Sequence, residues 1–108
     1  MKTAVRERDG STIVDVTGDV DMGTSPSLRK TLLESLKKTP RLVVNLREVR
    51  YVDSSGIASL VEVLKEARDK GKRLILFGLN PAVREALQLT RLTKIFEILG
   101  TEEEALQA

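Results

Sequence analysis

Cysteine, histidine and tryptophan are all absent from this chain of 108 residues, and only Tyr51, Phe77 and Phe96 are aromatic. Without cysteine the chain forms no disulfide and offers no thiolate nucleophile. Without histidine it has neither a Ser-His catalytic pair nor the ordinary ligands of a zinc site. These absences exclude the thiol-dependent, Ser-His and zinc-dependent enzyme classes.

A large excess of one charge is also missing, because 18 Lys and Arg stand against 16 Asp and Glu, for a net charge of +2. The basic residues are interspersed with acidic ones, whereas a nucleic-acid-binding surface needs a basic cluster, often with stacking aromatic rings. No apolar run approaches the ~20 residues of a membrane-spanning helix. The N-terminus lacks the apolar stretch of a signal peptide. We therefore expect a cytoplasmic protein that binds neither nucleic acid nor membrane.

The hydrophobic pattern predicts a single domain over residues 1–108, with strands and helices in the order ββαβαβαβα. Residues 4–8 and 12–17 form a predicted hairpin around Asp9-Gly10, because glycine tolerates the positive φ of a tight turn. Residues 18–24 are predicted as a loop. A helix then begins at Ser25-Pro26, with Ser25 as its cap.

The second half of the chain alternates between short apolar strands and amphipathic helices. Strands are predicted at 42–46, 74–77 and 95–98, and helices begin after Asp53, Asn80 and Thr101. Gly71 marks the end of the second helix, and Thr101 with Glu104 forms a capping box. The fold class is thus α/β, with a mixed, mostly parallel five-stranded sheet, an N-terminal β-hairpin and about four helices mainly on one face.

The most informative segment is Tyr51–Leu60, where a strand ends, the chain turns and a helix begins. The turn Asp53-Ser54-Ser55-Gly56 places two hydroxyls at the positive end of a helix dipole, where a hydroxyl can cap the helix or receive a phosphate. Taken alone, the turn favours the cap. Two serines exceed what capping needs, however, and Gly56 gives the turn little side-chain cover. The carboxyl end of a strand is also where open α/β sheets place their sites.

Other chemistry has weaker support. Neither a P-loop nor a G-x-G-x-x-G motif occurs, so we expect no nucleotide cofactor. Two S-x-x-K matches fall in one lysine-rich helix without companion motifs and indicate chance. Asp19, Asp21 and Asp53 could hold Mg²⁺, but loop aspartates more often cap turns, so we expect no metal site.

Three stretches together resemble one known family. They are Gly18–Asp21 with Thr24–Arg29, then Val49–Leu60, and finally Gly78–Arg84 with Leu92–Phe96. At this spacing the whole chain resembles a STAS domain of the anti-sigma factor antagonist type. The sequence departs from the family pattern at Arg91, where a glycine is usual, and at Gly23.

The resemblance implies a switch. In such proteins the second serine of the turn, here Ser55, is phosphorylated by an anti-sigma factor that is itself a serine kinase. The unphosphorylated form binds that anti-sigma factor and frees the sigma factor, and a serine phosphatase resets the cycle. The resemblance thus predicts a binding module and kinase substrate that is not an enzyme and is a monomer when free.

Roles for the remaining residues follow from the same resemblance. Asp53 would cap and orient the turn, Ser54 would cap it or contact the partner, and Gly56 would leave room. The neighbouring loop would complete the docking face. The expected partner-binding residues are Asp19, Asp21, Thr24, Asp53, Ser54, Ser55 and Gly56.

Two alternatives stay open at this point. A STAS domain can also be a subunit of a stress-signalling scaffold or of a lipid-transport complex, which the neighbouring genes would reveal. A hydrolase with Ser55 as nucleophile would need a lysine base, and no lysine lies near the turn in the sequence.

Overall fold

Strands and helices alternate along the chain after an initial hairpin. A computed structural model describes all residues from Met1 to Ala108. The strands are β1 (Lys2–Arg8), β2 (Ser11–Val20), β3 (Arg41–Val52), β4 (Arg73–Phe77) and β5 (Glu97–Leu99). The helices are α1 (Ser25–Lys37), α2 (Ser54–Asp69), α3 (Pro81–Leu89) and α4 (Glu102–Gln107). None of these helices combines the length and the apolar character that a bilayer crossing requires.

The five strands form one mixed sheet in the order β1-β2-β3-β4-β5. β1 and β2 are antiparallel, and Asp9 and Gly10 join them with φ angles of 52° and 79°. Positive φ at both central residues is the geometry of a type I′ turn, which Asp-Gly favours. The other neighbours pair in parallel, so the carboxyl ends of β2, β3 and β4 lie at one edge. The predicted mixed five-stranded α/β fold is confirmed.

β3 and β2 are both longer than predicted. β3 runs without interruption through Val49, where a connection was expected, to Val52, and β2 includes Gly18–Val20, which the prediction wrongly made a loop. Two register shifts against β2 each insert an extra residue into β3, as β-bulges do. Beyond Leu46, β3 therefore buries every third residue, Val49 and then Val52. That spacing does not match the two-residue period by which strands are recognised.

The main apolar core lies on one face of the sheet, under α1, α2 and α3. Leu32 of α1 and Val63 of α2 are fully buried there. The opposite face carries a smaller apolar cluster in which Ala105 of α4 packs against strand residues: Ile13, Val43, Ile75 and Phe77. The prediction that the helices lie mainly on one face is thus confirmed, with α4 as the exception.

Arginines on the strands hold α4 at both of its ends. Arg6 Nη1 donates to Glu102 Oε2 at 3.1 Å, and Arg8 donates to the same carboxylate. These contacts, led by the hydrogen bond from Arg6, lower the pKa of Glu102 to about 2. At the other end Arg41 donates to the carbonyl of Ala105. A six-residue helix is too short to be stable alone, so these contacts and the apolar packing keep it in place.

α2 and α3 end in the same hydrogen-bond pattern but with different residues. In each case the two residues after the C-cap donate their N–H groups to carbonyls of the last turn, which is the Schellman motif. The residue in the left-handed conformation is Gly71 after α2 (φ 66°) and Arg91 after α3 (φ 59°). Glycine adopts this conformation freely, whereas a side chain is strained there. Arg91 therefore carries a local strain that Gly71 avoids.

The two motifs allow a matched test of that strain. Arg91→Gly should raise the free energy of unfolding by about 0.5–1 kcal/mol, because the relief of strain exceeds the added entropy of the unfolded chain. Gly71→Ala should lower it by about 1 kcal/mol, since a Cβ there meets nothing within 4 Å and the cost is conformational only. Urea unfolding of both variants measures the two changes. An Arg91→Gly variant no more stable than the wild type would contradict the inference that Arg91 carries backbone strain.

Candidate functional site

The serine turn lies where the carboxyl ends of β2 and β3 meet the start of α2. The backbone N–H of Asp53, directly after β3, donates to the carbonyl of Val20 at the end of β2, at 3.1 Å. This bond brings the β2–α1 loop beside the turn. Ser59 of α2 donates to the carbonyl of Ser25 at 3.4 Å, so the N-terminal turns of α1 and α2 also contact each other.

Asp53 is the N-cap of α2. Its Oδ1 accepts hydrogen bonds from the N–H of Ser55 at 2.9 Å, the N–H of Gly56 at 3.1 Å and the hydroxyl of Ser55 at 2.6 Å. These bonds lower the pKa of the Asp53 carboxyl, and the one from the Ser55 hydroxyl contributes most. The backbone N–H of Met22, in the neighbouring loop, adds the smallest contribution. The shift extends the ionised state of this carboxyl to lower pH, and the carboxylate fixes both the helix start and one serine.

The two serines of the turn differ in their surroundings. Ser55 is half-buried and bonded to Asp53, whereas Ser54 is exposed as the first residue of α2. The cap is supplied by Asp53, so capping, one of the two roles expected for Ser54, is not its role here. Ser55 presents a hydroxyl of fixed orientation at the positive end of a sixteen-residue helix.

Gly56 is buried, so the reason for a glycine here differs from the one expected. The sequence suggested that Gly56 leaves room for a partner. A Cβ at this position would lie 2.7 Å from Cγ1 of Val20 and 2.8 Å from Cγ1 of Val52. The glycine is required because α2 begins in direct contact with the last residues of β2 and β3.

The loop between β2 and α1 is held by its own polar groups. Oδ1 of Asp21 accepts from the N–H groups of Gly23 and Thr24, at 2.9 and 3.1 Å, and the Thr24 hydroxyl donates to the carbonyl of Asp19 at 3.0 Å. Ser25 was predicted to cap α1, but Thr24 is the N-cap residue and Ser25 is buried as the first helical residue. That prediction is wrong because a serine before Pro26 was taken as the helix start, while the chain enters the helix one residue earlier.

The predicted partner-binding residues form two groups joined by the Val20–Asp53 bond. Asp21 and Thr24 lie in the loop beside the turn. From the same loop, the backbone N–H of Met22 helps to lower the pKa of Asp53. The carboxylate of Asp19 is paired instead with Arg50, at 3.8 Å. No group of three acidic side chains is arranged to hold a metal ion.

Comparison with known proteins identifies the family of this domain. The profile of the STAS domain matches residues 2–105. The chain belongs to the STAS-domain family. The anti-sigma-B factor antagonist of Listeria monocytogenes is 33% identical over 102 residues, which cover 93% of this chain and 90% of that relative.

Two solved structures share the fold. An anti-sigma factor antagonist from Mycobacterium paratuberculosis superposes with a TM-score of 0.90 at 30% identity, over 98% of this chain and 91% of that one. The Bacillus cell fate determinant SpoIIAA in its phosphorylated form superposes with a TM-score of 0.73 at 19% identity, over 98% of this chain and 97% of that one. The second likeness concerns the fold alone.

Two exposed apolar side chains at the site were not predicted as site residues. Met22, in the loop beside the turn, is 79% exposed, and Tyr51, near the end of β3, is 52% exposed. An apolar residue within a polar loop was the available signal for Met22. Tyr51 lay within the informative segment but was interpreted as part of a strand. Single exposed apolar side chains are common on protein surfaces, so these two do not by themselves mark a contact surface.

Because Gly56 is closely packed, the stability of the domain should be sensitive to a single methyl group added at this position. Gly56→Ala should lower the free energy of unfolding by about 1–3 kcal/mol, because the new Cβ overlaps Val20 and Val52 and α2 must move outward. Gly23→Ala is a matched control, since its Cβ would meet only Asp21 Oδ1, at 3.4 Å, and its φ is not positive. Thermal unfolding of the two variants gives the comparison. Equal midpoints would mean that the close packing at Gly56 is unimportant.

Proposed function

We propose that this STAS domain is an anti-sigma factor antagonist whose binding is switched off by phosphorylation of Ser55. The observation that carries the proposal is the Ser55 hydroxyl, held by Asp53 at the N-terminus of α2 on the surface where two loops meet. The similar proteins named above as anti-sigma factor antagonists support the same role.

The partner we infer is an anti-sigma factor that is a serine kinase and brings its own ATP. In the unphosphorylated state this chain binds that factor, which then releases its sigma factor. A serine phosphatase restores the binding form. The chain acts in this cycle as a substrate and a binding module, without a reaction of its own, in the cytoplasm where sigma factors work.

Phosphate at Ser55 should abolish binding without unfolding the domain. It adds about −1.5 to −2 charges at pH 7, and the positive end of the α2 dipole stabilises an anion at that point. Asp53 and Asp21 already carry negative charge at the same surface. A partner that fits the unphosphorylated surface would then meet repulsion and a larger desolvation cost.

A hydrolytic role for Ser55 has little to support it. The one side chain that accepts from its hydroxyl is the Asp53 carboxylate, which its hydrogen bonds keep ionised and weakly basic. A serine nucleophile needs a base of higher pKa beside it, such as the histidine or lysine of known serine enzymes. A role as a subunit of a larger STAS assembly is the second candidate function. A neighbouring gene for a small serine kinase would favour the antagonist function over it.

The first test of the proposal is the site of modification. Incubation with the partner kinase and MgATP should add one phosphate, and tandem mass spectrometry should locate it on Ser55. Ser55→Ala should remain unmodified under the same conditions. A phosphate on Ser54, or one that persists in Ser55→Ala, would rule out the assignment.

The second test separates charge from unfolding. Ser55→Asp should melt like the wild type, because a carboxylate in the first turn of a helix stabilises it by about 0.3–1 kcal/mol. Its binding to the anti-sigma factor should weaken by about 30-fold or more, which corresponds to at least 2 kcal/mol. Ser55→Ala, the uncharged control, should bind within a few-fold of the wild type. Calorimetric titration measures the affinities, and thermal melts show whether each variant is folded. Wild-type affinity in both Ser55→Asp and the phosphorylated protein would refute the charge mechanism.

A further inference from the structure

The two adjacent serines pose a selection problem that exposure does not solve. Ser54 is the more exposed of the two, and its hydroxyl makes no hydrogen bond within the chain. Ser55 is half-buried, and its hydroxyl donates to Asp53 Oδ1 at 2.6 Å. A kinase that took the more accessible hydroxyl would modify Ser54.

We propose that Asp53 is a positioning residue that selects Ser55 over Ser54 by holding the Ser55 hydroxyl in one orientation. This inference rests on the proposed function, since it concerns the phosphorylation of that same turn. With its proton directed at Asp53, the Ser55 oxygen presents its lone pairs away from the carboxylate. The Ser54 hydroxyl has no such partner and rotates among its staggered positions.

Orientation matters here because phosphoryl transfer depends mainly on placement. The acceptor oxygen must lie in line with the bond that breaks, and little covalent chemistry is left for side chains to perform. In the transfer a bond forms between Ser55 Oγ and the γ-phosphorus of ATP. The bond from that phosphorus to the β,γ-bridging oxygen breaks, and ADP leaves. The hydroxyl proton passes to a catalytic carboxylate of the kinase, and the weakly basic Asp53 orients the hydroxyl without taking its proton.

The capping role of Asp53 can be separated from this positioning role. Glycine is tolerated at the N-cap at a cost of a few tenths of a kcal/mol, and asparagine caps as well as aspartate. Asp53→Asn keeps an oxygen that accepts the Ser55 hydroxyl, whereas Asp53→Gly removes it. Both variants lose the same charge and both keep a permitted helix start. They differ in the contact that the proposal invokes, and the glycine variant also lacks the two backbone N–H bonds of the cap, whose effect on stability thermal melts measure.

The test measures the ratio of phosphate on Ser55 to phosphate on Ser54 within the same molecules. Wild type, Asp53→Asn, Asp53→Gly and the control Asp69→Asn are incubated with the partner kinase and MgATP and analysed by tandem mass spectrometry. Asp69 is exposed at the far end of α2, so its variant reports the loss of one negative charge away from the site. Because the two serines compete within one molecule, the ratio is insensitive to changes in KM or in overall stability.

We expect at least a tenfold preference for Ser55 in wild type, Asp53→Asn and Asp69→Asn, and a ratio within about threefold of unity in Asp53→Gly. A tenfold preference that persists in folded Asp53→Gly overturns the inference and leaves the proposed function intact. If thermal melts show the glycine variant to be partly unfolded, the same comparison is made at a lower temperature at which the melts show it folded. Wild-type protein that gains no phosphate, or gains it on Ser54, refutes the proposed function itself, so the two failures are distinguishable.

Discussion

The geometry of the site depends on the close contact of Gly56 with Val20 and Val52. Because this residue has no side chain, α2 begins directly against the last residues of β2 and β3. The hydrogen bond from the Asp53 N–H to the Val20 carbonyl fixes the same junction from the backbone side. A helix that began further from the sheet would carry its serines away from the β2–α1 loop, and the two halves of the surface would separate.

Asp53 links this junction to the chemistry of the turn. A single carboxylate oxygen accepts the two backbone N–H groups that start the helix and the hydroxyl of Ser55. The same bonds lower the pKa of the carboxyl, since each stabilises the charged form. Structural stability and control of the hydroxyl therefore rest on one side chain, and conservative variants are needed to separate them.

The phosphoacceptor expected at the site, Ser55, lies outside both apolar clusters of the fold. The main core lies under α1, α2 and α3, and the smaller cluster beneath α4 lies on the opposite face of the sheet. Ser55 belongs to neither cluster, so a phosphate there changes the charge of the surface without entering apolar packing. A change of surface charge on an unchanged fold is what a reversible binding switch requires.

Local patterns in the sequence determined much of this architecture. The Asp9-Gly10 turn, the stop at Gly71 and the capping box of Thr101 with Glu104 all occur where predicted, because each depends on residues close together in the chain. The helix start at Asp53 could be predicted for the same reason. Five strands and four helices followed from periods of two and 3.6 residues.

Other features were decided by contacts between distant segments. The bulges of β3 arise from its pairing with β2, so burial at Leu46, Val49 and Val52 follows a period that no isolated strand shows. The need for glycine at position 56 comes from two valines on different strands. The difference between Ser54 and Ser55 likewise requires the folded turn, because only there does one hydroxyl face the carboxylate. The sequence by itself determined which elements form and where the turn lies, and the tertiary structure decided which residues of that turn are buried, bonded or free.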